Sequence, residues 1–356
     1  MKDALTYDDI QLVPKFSSIL SRKDISLKTL VSRRYGLLIP LVASPMDTVC
    51  EEEMAFKMFL LGGVGCIHRF MPDVEQARQI KNLTFRIYGE GFGGPFENWD
   101  LEEKWHSEIK QIPIMAAIGV QDEDKQRALL LTEAGANVLV IDVAHGHHQN
   151  VINMIRWCKT NLPTEVDIIA GNIATSDAAI DLADAGADGL RVGIGNGSLC
   201  TTRIKTGFGI PTVTALENIV GVTKLPIMAD GGIRTSGDIA KALALGSSTV
   251  MLGSLLAGTD ESPGKIIETS NGLIKRYRGS ASLETKITHN KEERNIEGES
   301  TTIPYKGGVK FVVNGLIDGL KSALSYGGAN SLDYFYPKYV KVTNSGLLES
   351  KPHLLK

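Results

Sequence analysis

The sequence predicts a single α/β domain built as a (β/α)8 barrel, the TIM barrel fold. Eight short apolar runs recur along the chain, and polar or glycine-rich residues follow each of them. Such runs are typical of parallel strands that are buried on both faces. Stretches with helical spacing, such as QDEDKQRALLLTEAGA, separate most of the runs, which favours a barrel. A doubly wound open sheet is the alternative, but it normally has fewer strands and a GxGxxG motif after the first one, which is missing here.

The elements follow in order from these runs. The predicted strands are 41–44, 64–68, 114–119, 138–142, 167–171, 189–193, 226–230 and 249–253. Glycine stands just before the fourth, sixth and eighth strands, in AGAN, AGAD and ALGS. Because glycine is the residue that most often ends a helix, three helices are expected to stop there.

Two segments lie outside this alternation of strands and helices. Residues 84–111 are rich in glycine and aromatic residues and are predicted to form a short insertion after the second helix. Trp99 and Trp105 would pack this insertion on the barrel or on a neighbouring subunit, or else stack on an adenine. Residues 270–310 are predicted to form a hairpin and a charged, mobile flap after the eighth strand. Residues 1–356 are otherwise expected to form one barrel domain.

Composition excludes several classes of function. A net charge of −3 gives no bulk attraction to nucleic acid or to anionic membranes. The sequence has no apolar run long enough for a signal peptide or a spanning helix, so a cytoplasmic location is expected. The four cysteines form no CxxC pair, and the HGHH run at 145–148 lacks the spacing of a helical metal site.

The ends of the last two strands suggest a phosphate site. Asp230-Gly231-Gly232 and Gly253-Ser254 stand where barrels of this kind bind phosphate through backbone N–H groups. These glycines could instead serve only to make tight turns between strand and helix. Because both late strands carry the feature, phosphate binding is the favoured interpretation.

Cys200 lies in the glycine-rich stretch VGIGNGSLCTTRIKTGFG, at the end of the sixth strand. A lone cysteine is commonly an inert, buried apolar residue. In a glycine loop beside Ser198, Thr201 and Thr202, it could also be a thiolate that adds to a ring carbon of a substrate. The residues themselves leave both interpretations open.

Longer motifs make the chain resemble the family of IMP dehydrogenases and GMP reductases. They occur in register along the sequence: LTYDDIQLVP, SPMDTV, IDVAHGH, AGNIAT, GIGNGSLCTTR, MADGGIRTSGDIAKAL and MLGSLLAGTDESPG. The resemblance implies a (β/α)8 barrel that assembles as a homotetramer. It also implies GMP or IMP as the substrate and NADPH or NAD as the cofactor.

The resemblance assigns roles to individual residues. Cys200 would attack C2 of the purine, and Thr202 would activate the leaving or entering group. The residues implied to bind the nucleotide are Ser44, Met46, Ser198, Asp230, Gly231, Gly232, Gly253, Ser254, Tyr277 and Gly279. Those implied to face the nicotinamide are Asp142, Val143, Ala144 and Asn172. The backbone carbonyls of Gly193, Gly195 and Cys200 match the potassium site of the dehydrogenases.

The two branches of the family differ in the flap, and this chain lacks part of each signature. Dehydrogenases carry an Arg-Tyr pair whose arginine activates water, which makes Arg294 a candidate catalytic residue, but Asn295 follows it here. The catalytic glutamate expected directly after GSAS in reductases is replaced by Leu283, with Glu284 one place later. Glu297 could also supply the missing carboxylate. The short flap favours a GMP reductase, with an IMP dehydrogenase as the alternative and a catalytically silent purine-nucleotide binder as a third.

Overall fold

A computed structural model describes residues 3–89, 112–270, 272–288 and 296–349 of the chain. It confirms all eight predicted strands, which form a closed parallel barrel from β4 (Leu41–Ala43) to β11 (Thr249–Leu252). The strands are β1 (Ile10–Leu12), β2 (Thr29–Leu30), β3 (Gly36–Leu37), β4 (Leu41–Ala43), β5 (Val64–Ile67), β6 (Met115–Ile118), β7 (Val138–Asp142), β8 (Asp167–Ile173), β9 (Gly189–Val192), β10 (Ile227–Asp230), β11 (Thr249–Leu252), β12 (Ile267–Thr269), β13 (Gly272–Arg278), β14 (Ser300–Pro304) and β15 (Tyr339–Lys341).

The barrel closes between its last and first strands. Each barrel strand pairs in parallel with the next one along the chain, and β11 then pairs with β4, with Met251 opposite Val42. Nearly every residue of these strands is buried, because the inward side chains fill the barrel and the outward ones pack under helices. The carboxyl ends of all eight strands therefore meet at one face of the barrel.

Helices follow the barrel strands and cover the outside of the barrel. They are α1 (Glu52–Leu60), α2 (Asp73–Tyr88), α3 (Asp122–Glu133), α4 (Gln149–Asn161), α5 (Ser176–Asp184), α6 (Thr202–Thr206), α7 (Thr212–Ile219), α8 (Ser236–Ala244), α9 (Leu283–Thr288), α10 (Val309–Tyr326) and α11 (Asn344–Glu349). The three predicted helix ends are confirmed, with Gly135, Gly186 and Gly246 at positive φ just after helices α3, α5 and α8.

The amino end of the barrel is closed by the small β2–β3 hairpin. Ser32 donates a hydrogen bond of 2.8 Å to the fully buried carboxylate of Asp167, at the start of β8. Arg33 pairs with Asp188, just before β9, at 3.2 Å. A cavity that is open to solvent therefore has to lie at the other end, where the strands end.

The carboxyl end is covered on one side by a three-stranded antiparallel sheet. Strands β12 and β13 form the predicted hairpin, with Thr269 opposite Gly272, and β14 returns alongside β13. Helix α9 lies between β13 and β14 in the order of the chain. The flap residues Arg294 and Asn295 fall outside the described residues.

The helix before the predicted insertion runs further than expected. Helix α2 continues to Tyr88, so residues 84–88 belong to a helix whose inner face packs on the barrel. The remainder of the predicted insertion, with Trp99 and Trp105, lies outside the described residues. Among the residues that are described, no helix is long and apolar enough to cross a membrane.

Candidate active site

A cavity of about 990 Å³ opens at the carboxyl end of the barrel. This volume is at the upper end of the roughly 300–1,000 Å³ typical of ligand pockets. Most of the residues singled out from the sequence line it together. These are Ser44, Met46, Asp142, Val143, Ala144, Asn172, Gly193, Gly195, Ser198, Cys200, Thr202, Asp230, Gly231, Gly232, Gly253, Ser254, Tyr277, Gly279 and Glu297.

Cys200 differs from the other cysteines in its exposure. Cys50, Cys66 and Cys158 are buried, and burial raises the pKa of each thiol, that of Cys158 to about 12. These three cysteines therefore stay as neutral thiols, which are poor nucleophiles. Cys200 is half-buried and faces the cavity. Its placement fits the nucleophile interpretation better than the inert one.

A chain of hydrogen bonds leads from this thiol to a carboxylate. Sγ of Cys200 donates to Oγ1 of Thr202 at 3.1 Å, and that hydroxyl donates to Oε2 of Glu297 at 2.6 Å. Thr202 is the first residue of α6, so its side chain is fixed by the helix that follows the cysteine loop. The arrangement can pass a proton between the carboxylate and a group bound next to Cys200.

Glu297 is held in place by its own backbone. Its N–H donates to the carbonyl of Ala281 and its carbonyl accepts from Thr201, at 3.1 and 3.0 Å. Two residues later, the N–H of Glu299 donates to the carbonyl of Leu199 at 2.9 Å. The segment that follows the flap is thus bonded directly to the cysteine loop.

Glu284 occupies a different environment. Its carboxylate lies 3.4 Å from Arg278 and 3.5 Å from Arg276, and it does not line the cavity. Arg278 in turn pairs with Asp47 at 2.8 Å. This placement gives no support to the expectation that Glu284 is catalytic, and it leaves Glu297 as the carboxylate beside Cys200. The other candidate of the flap, Arg294, lies outside the described residues.

Unpaired backbone N–H groups gather at one end of the cavity. Gly231 and Gly232 both have positive φ, near 90° and 80°, at the end of β10. Among the described residues, no acceptor is found for the N–H groups of these two glycines, of Gly253 or of Ser254. Such donors form the kind of site that binds phosphate.

Two hydroxyl groups complete this end of the cavity. Oη of Tyr277 lies 3.0 Å from Oγ of Ser198. Burial raises the pKa of Tyr277, so the phenol stays protonated and can donate. The predicted phosphate residues are thus brought together from three separate loops and from strand β13.

Arg191 was not recognised from the sequence. It lies in β9, is only 6% exposed, and bridges Asp142 at 2.7 Å and Asp230 at 3.0 Å. Burial alone would lower its pKa, but the charges of the two carboxylates outweigh burial and raise it. The signal was available, because a lone arginine inside the buried run GLRVG must meet a charged partner.

Asn172 extends this network. Its amide donates to Oδ2 of Asp230 and to the carbonyl of Gly193, both at 2.7 Å. The carboxylate of Asp230 is therefore fixed from two sides, as a group that binds ribose hydroxyls would need to be. The potassium site stays a prediction, and the bond from Asn172 already uses one lone pair of the Gly193 carbonyl.

The N-terminal segment also reaches the cavity, which sequence reasoning missed. Thr6, Tyr7 and Asp8 line it, and Arg234 pairs with Asp8 at 2.5 Å. These residues belong to the motif LTYDDIQLVP, to which no role was assigned.

Two of the three histidines of the HGHH run have structural partners. His147 pairs with Asp181 at 2.7 Å, and His148 accepts a hydrogen bond from the N–H of Asn150 at the start of α4. Within the described residues, no group of histidine, cysteine and carboxylate side chains could hold a metal ion.

Comparisons with known proteins identify the family of the chain. The family model described as "IMP dehydrogenase / GMP reductase domain" matches residues 4–353. The inosine-5′-monophosphate dehydrogenase of Cryptosporidium parvum is 40% identical, over 98% of this chain and 94% of that protein. The GMP reductase of Leishmania major is 33% identical, over 99% of this chain and 97% of that protein.

A solved structure supports the same conclusion. It is a cysteine-to-alanine variant of GMP reductase from Trypanosoma brucei in complex with guanosine 5′-monophosphate. It matches with a TM-score of 0.89 and 32% identity, over 100% of this chain and 99% of that one. The fold, the site and these likenesses agree, and the chain belongs to the IMP dehydrogenase/GMP reductase family of oxidoreductases.

Proposed function

We propose that this protein is a GMP reductase, which converts GMP and NADPH to IMP and ammonia through a covalent bond between Cys200 and C2 of the purine. The observation that carries the proposal is the hydrogen-bonded chain Cys200–Thr202–Glu297, with Glu297 anchored by its backbone to the cysteine loop. An acid–base group fixed at this point suits the departure of ammonia, which needs a proton at the leaving nitrogen.

The first half of the reaction uses only groups of the chain and the nucleotide. Sγ of Cys200 forms a bond to C2 of GMP while the bond from C2 to the exocyclic nitrogen breaks. The thiol proton passes through Thr202 to Glu297 and returns through Thr202 to the leaving nitrogen, which departs as ammonia. The electron pair of the broken C–N bond leaves with that nitrogen, so no oxidant or reductant is needed at this stage.

The second half requires the reduced nicotinamide. When bound, NADPH supplies the hydride that reduces C2. Asp142, Val143, Ala144 and Asn172 would hold its nicotinamide end, because they line the cavity on the side where Arg69 and Arg191 fix the Asp142 carboxylate. As the C–S bond breaks, Cys200 takes its electron pair as thiolate, and the Thr202–Glu297 pair can relay to it a proton taken up from solvent, since the first thiol proton has left with the ammonia.

The nucleotide would be oriented by the two ends of the cavity. Its 5′-phosphate fits the unpaired N–H groups of Gly231, Gly232, Gly253 and Ser254, with the hydroxyls of Ser198 and Tyr277. Its ribose would reach Asp230, and Ser44, Met46 and Gly279 would line the purine.

An IMP dehydrogenase is the second candidate, and its support is the 40% identity to the Cryptosporidium parvum enzyme. The length of the chain does not decide between GMP reductase and IMP dehydrogenase. The alignment with the Leishmania major reductase covers 478 positions, far more than the 356 residues of this chain, whereas that with the dehydrogenase covers 384. The fixed Glu297 can relay a proton in either chemistry. What favours the reductase is the short flap, together with Asn295 where dehydrogenases have a tyrosine. A silent nucleotide binder would have no need for a thiol linked to a carboxylate.

Absorbance at 340 nm tests the proposal with two parallel reactions of the purified protein. In the first, with GMP and NADPH, the absorbance should fall. In the second, with IMP, NAD and K⁺, it should stay flat. A rise in the second would make the protein an IMP dehydrogenase, and no change in either, with IMP still bound, would make it a silent binder.

The assembly and ion requirements belong to the same proposal. We expect a single-domain enzyme of the cytoplasm that works as a homotetramer, and K⁺ bound by the carbonyls of Gly193, Gly195 and Cys200. Light scattering of the full chain would give the subunit number. Titration of the activity with K⁺ against Na⁺ would show whether the ion is needed.

A further inference from the structure

The side chain of Tyr7 ends in a buried hydroxyl without a partner. The residue is 2% exposed, and among the described residues no hydrogen-bond acceptor or donor is found for its Oη. Tyr7 nevertheless lines the active-site cavity. A buried polar group that lacks a partner is rare in folded proteins and calls for a ligand or an ordered water.

The position of Tyr7 is fixed by its surroundings. It begins a short 3₁₀ turn, Tyr7–Asp9, and its carbonyl accepts a hydrogen bond of 2.8 Å from Lys241. On one side of it, the N–H of Leu5 donates to Thr214 at 2.7 Å. On the other, Asp8 forms a bidentate pair with Arg234. The hydroxyl therefore cannot turn away to find a partner elsewhere.

The phenol lies directly against the predicted phosphate loop. A Cβ placed on Gly232 would be 3.6 Å from two ring carbons of Tyr7. Gly231 and Gly232 carry two of the N–H groups for which no acceptor is found among the described residues. The unpaired hydroxyl thus adjoins a cluster of unpaired donors.

The chemistry of the neighbours makes this hydroxyl a donor. Burial raises the pKa of Tyr7, and the charges of Asp238 and Asp230 raise it further, so the phenol keeps its proton. Both carboxylates have other donors: Asp238 accepts from the N–H of Arg234, and Asp230 from Asn172. A set of donors that converge without an acceptor among them suits an anion.

We propose that the hydroxyl of Tyr7 donates a hydrogen bond to the 5′-phosphate of the bound nucleotide and so contributes to the selection of nucleotides over nucleosides. The proposal rests on the nucleotide site proposed above. It adds to that site a residue from the N-terminal turn, far in sequence from the loops that carry the other phosphate residues.

The test compares Tyr7→Phe with the wild-type protein in equilibrium binding of IMP and of inosine, by calorimetry without nicotinamide. We expect Tyr7→Phe to weaken IMP binding about 10-fold, which is ~1.4 kcal/mol, and to leave inosine binding unchanged. Tyr35→Phe is the matched control. It removes a tyrosine hydroxyl that donates to the carbonyl of Glu165, outside the cavity lining, and should change neither affinity.

Other outcomes overturn the proposal in distinguishable ways. If Tyr7→Phe weakens IMP and inosine equally, or neither of them, the hydroxyl binds a water and not the phosphate. If the wild-type protein itself does not bind IMP more tightly than inosine, the proposed nucleotide site is wrong, and not only the role proposed for Tyr7. A thermal unfolding curve of Tyr7→Phe, expected to match the wild-type curve, shows that the variant is folded.

Discussion

The hydroxyl of Thr202 donates a 2.6 Å hydrogen bond to Oε2 of Glu297, although 95 positions separate the two residues in the chain. The contact exists because residues 297–299 bond through their backbone to the cysteine loop. It places a carboxylate two hydrogen bonds from the thiol of Cys200, and the flap precedes it in the chain. The assignment of catalytic roles follows from this contact.

Replacement of Glu297 by glutamine should remove the proton transfer but keep the shape of the site. We expect kcat to fall about 10²- to 10⁴-fold, the usual contribution of a general acid or base, with little change in the affinity for IMP. Steady-state kinetics at 340 nm and calorimetry would measure the two quantities. Glu284→Gln is the matched control and should stay within about 3-fold of wild type, because Glu284 contacts arginines outside the cavity lining. A large loss with Glu284→Gln instead would return the catalytic role to that residue.

Replacement of Cys200 by alanine should abolish turnover and leave nucleotide binding intact. The side chain is small and half-buried, so its loss leaves no large cavity in the core. The nucleotide would still meet the phosphate loops and Asp230. Calorimetry with IMP should give a Kd within a few-fold of wild type, while the 340 nm assay shows no activity above background. Residual turnover of Cys200→Ala at more than about one-hundredth of the wild-type rate would exclude the covalent mechanism.

Arg191→Met should destabilise the whole barrel as well as the site. Without the guanidinium, the carboxylates of Asp142 and Asp230 lose the cation that lies between them. Breaking a buried ion pair in this way typically costs about 3–5 kcal/mol. Urea unfolding should show that loss. Arg33→Met, which breaks an ion pair whose arginine is 57% exposed, should cost less than about 1 kcal/mol. Equal losses for the two variants would contradict the role given to Arg191.

The sequence was sufficient to predict the barrel, because eight buried runs and their glycine stops are local patterns. It was also sufficient to place Cys200, Asp230 and the late glycines at one face, since parallel strands end together. What it could not supply were contacts between distant residues. Glu284 and Glu297 could not be told apart by spacing, because their roles depend on how the segment after the flap folds onto residues 199–201.

Charge and packing explain the other differences. The run GLRVG predicts an apolar strand, yet its arginine is the cation that fixes two carboxylates from other barrel strands. The motif of the N-terminal turn predicts no contact with the site, because nothing in its composition shows that Tyr7 reaches the cavity. The aromatic and glycine-rich composition of residues 84–111 predicts an insertion from residue 84, whereas helix α2 continues to Tyr88.

Lys306 should make nucleotide binding depend on pH above neutrality. Its ammonium donates to the carbonyls of Ser254 and Leu255, at 2.5 and 3.1 Å, directly behind the predicted phosphate loop. Burial lowers its pKa to about 8. The positive charge is therefore present below pH 8 and is lost as the pH rises through that value, so the attraction to a phosphate weakens. We expect the ratio of IMP to inosine affinity to fall several-fold between pH 7 and pH 9.

The comparison with inosine cancels the titration of the purine ring, which both ligands share. Lys306→Arg keeps its charge over this range and should give a flat ratio. Lys306→Gln should give a ratio that is low and also flat. If Lys306→Arg kept the wild-type pH dependence, another group would be responsible for it.

The substitution Gly193→Ala would test the close approach between the cysteine loop and β10. Its φ is 146°, and a Cβ at this position would lie 1.9 Å from the carbonyl oxygen of Asp230. Gly193→Ala must therefore push the two strands apart and move Asp230, in addition to the strain of a positive φ. Gly221→Ala isolates that strain, since Gly221 has φ 85° and nothing within 4 Å of a Cβ. We expect Gly221→Ala to lose about 1–2 kcal/mol of unfolding free energy with unchanged kinetics. Gly193→Ala should lose clearly more unfolding free energy than Gly221→Ala and should raise KM for the nucleotide. Equal losses of unfolding free energy, with KM unchanged, would show that the loop can shift without disturbing the site.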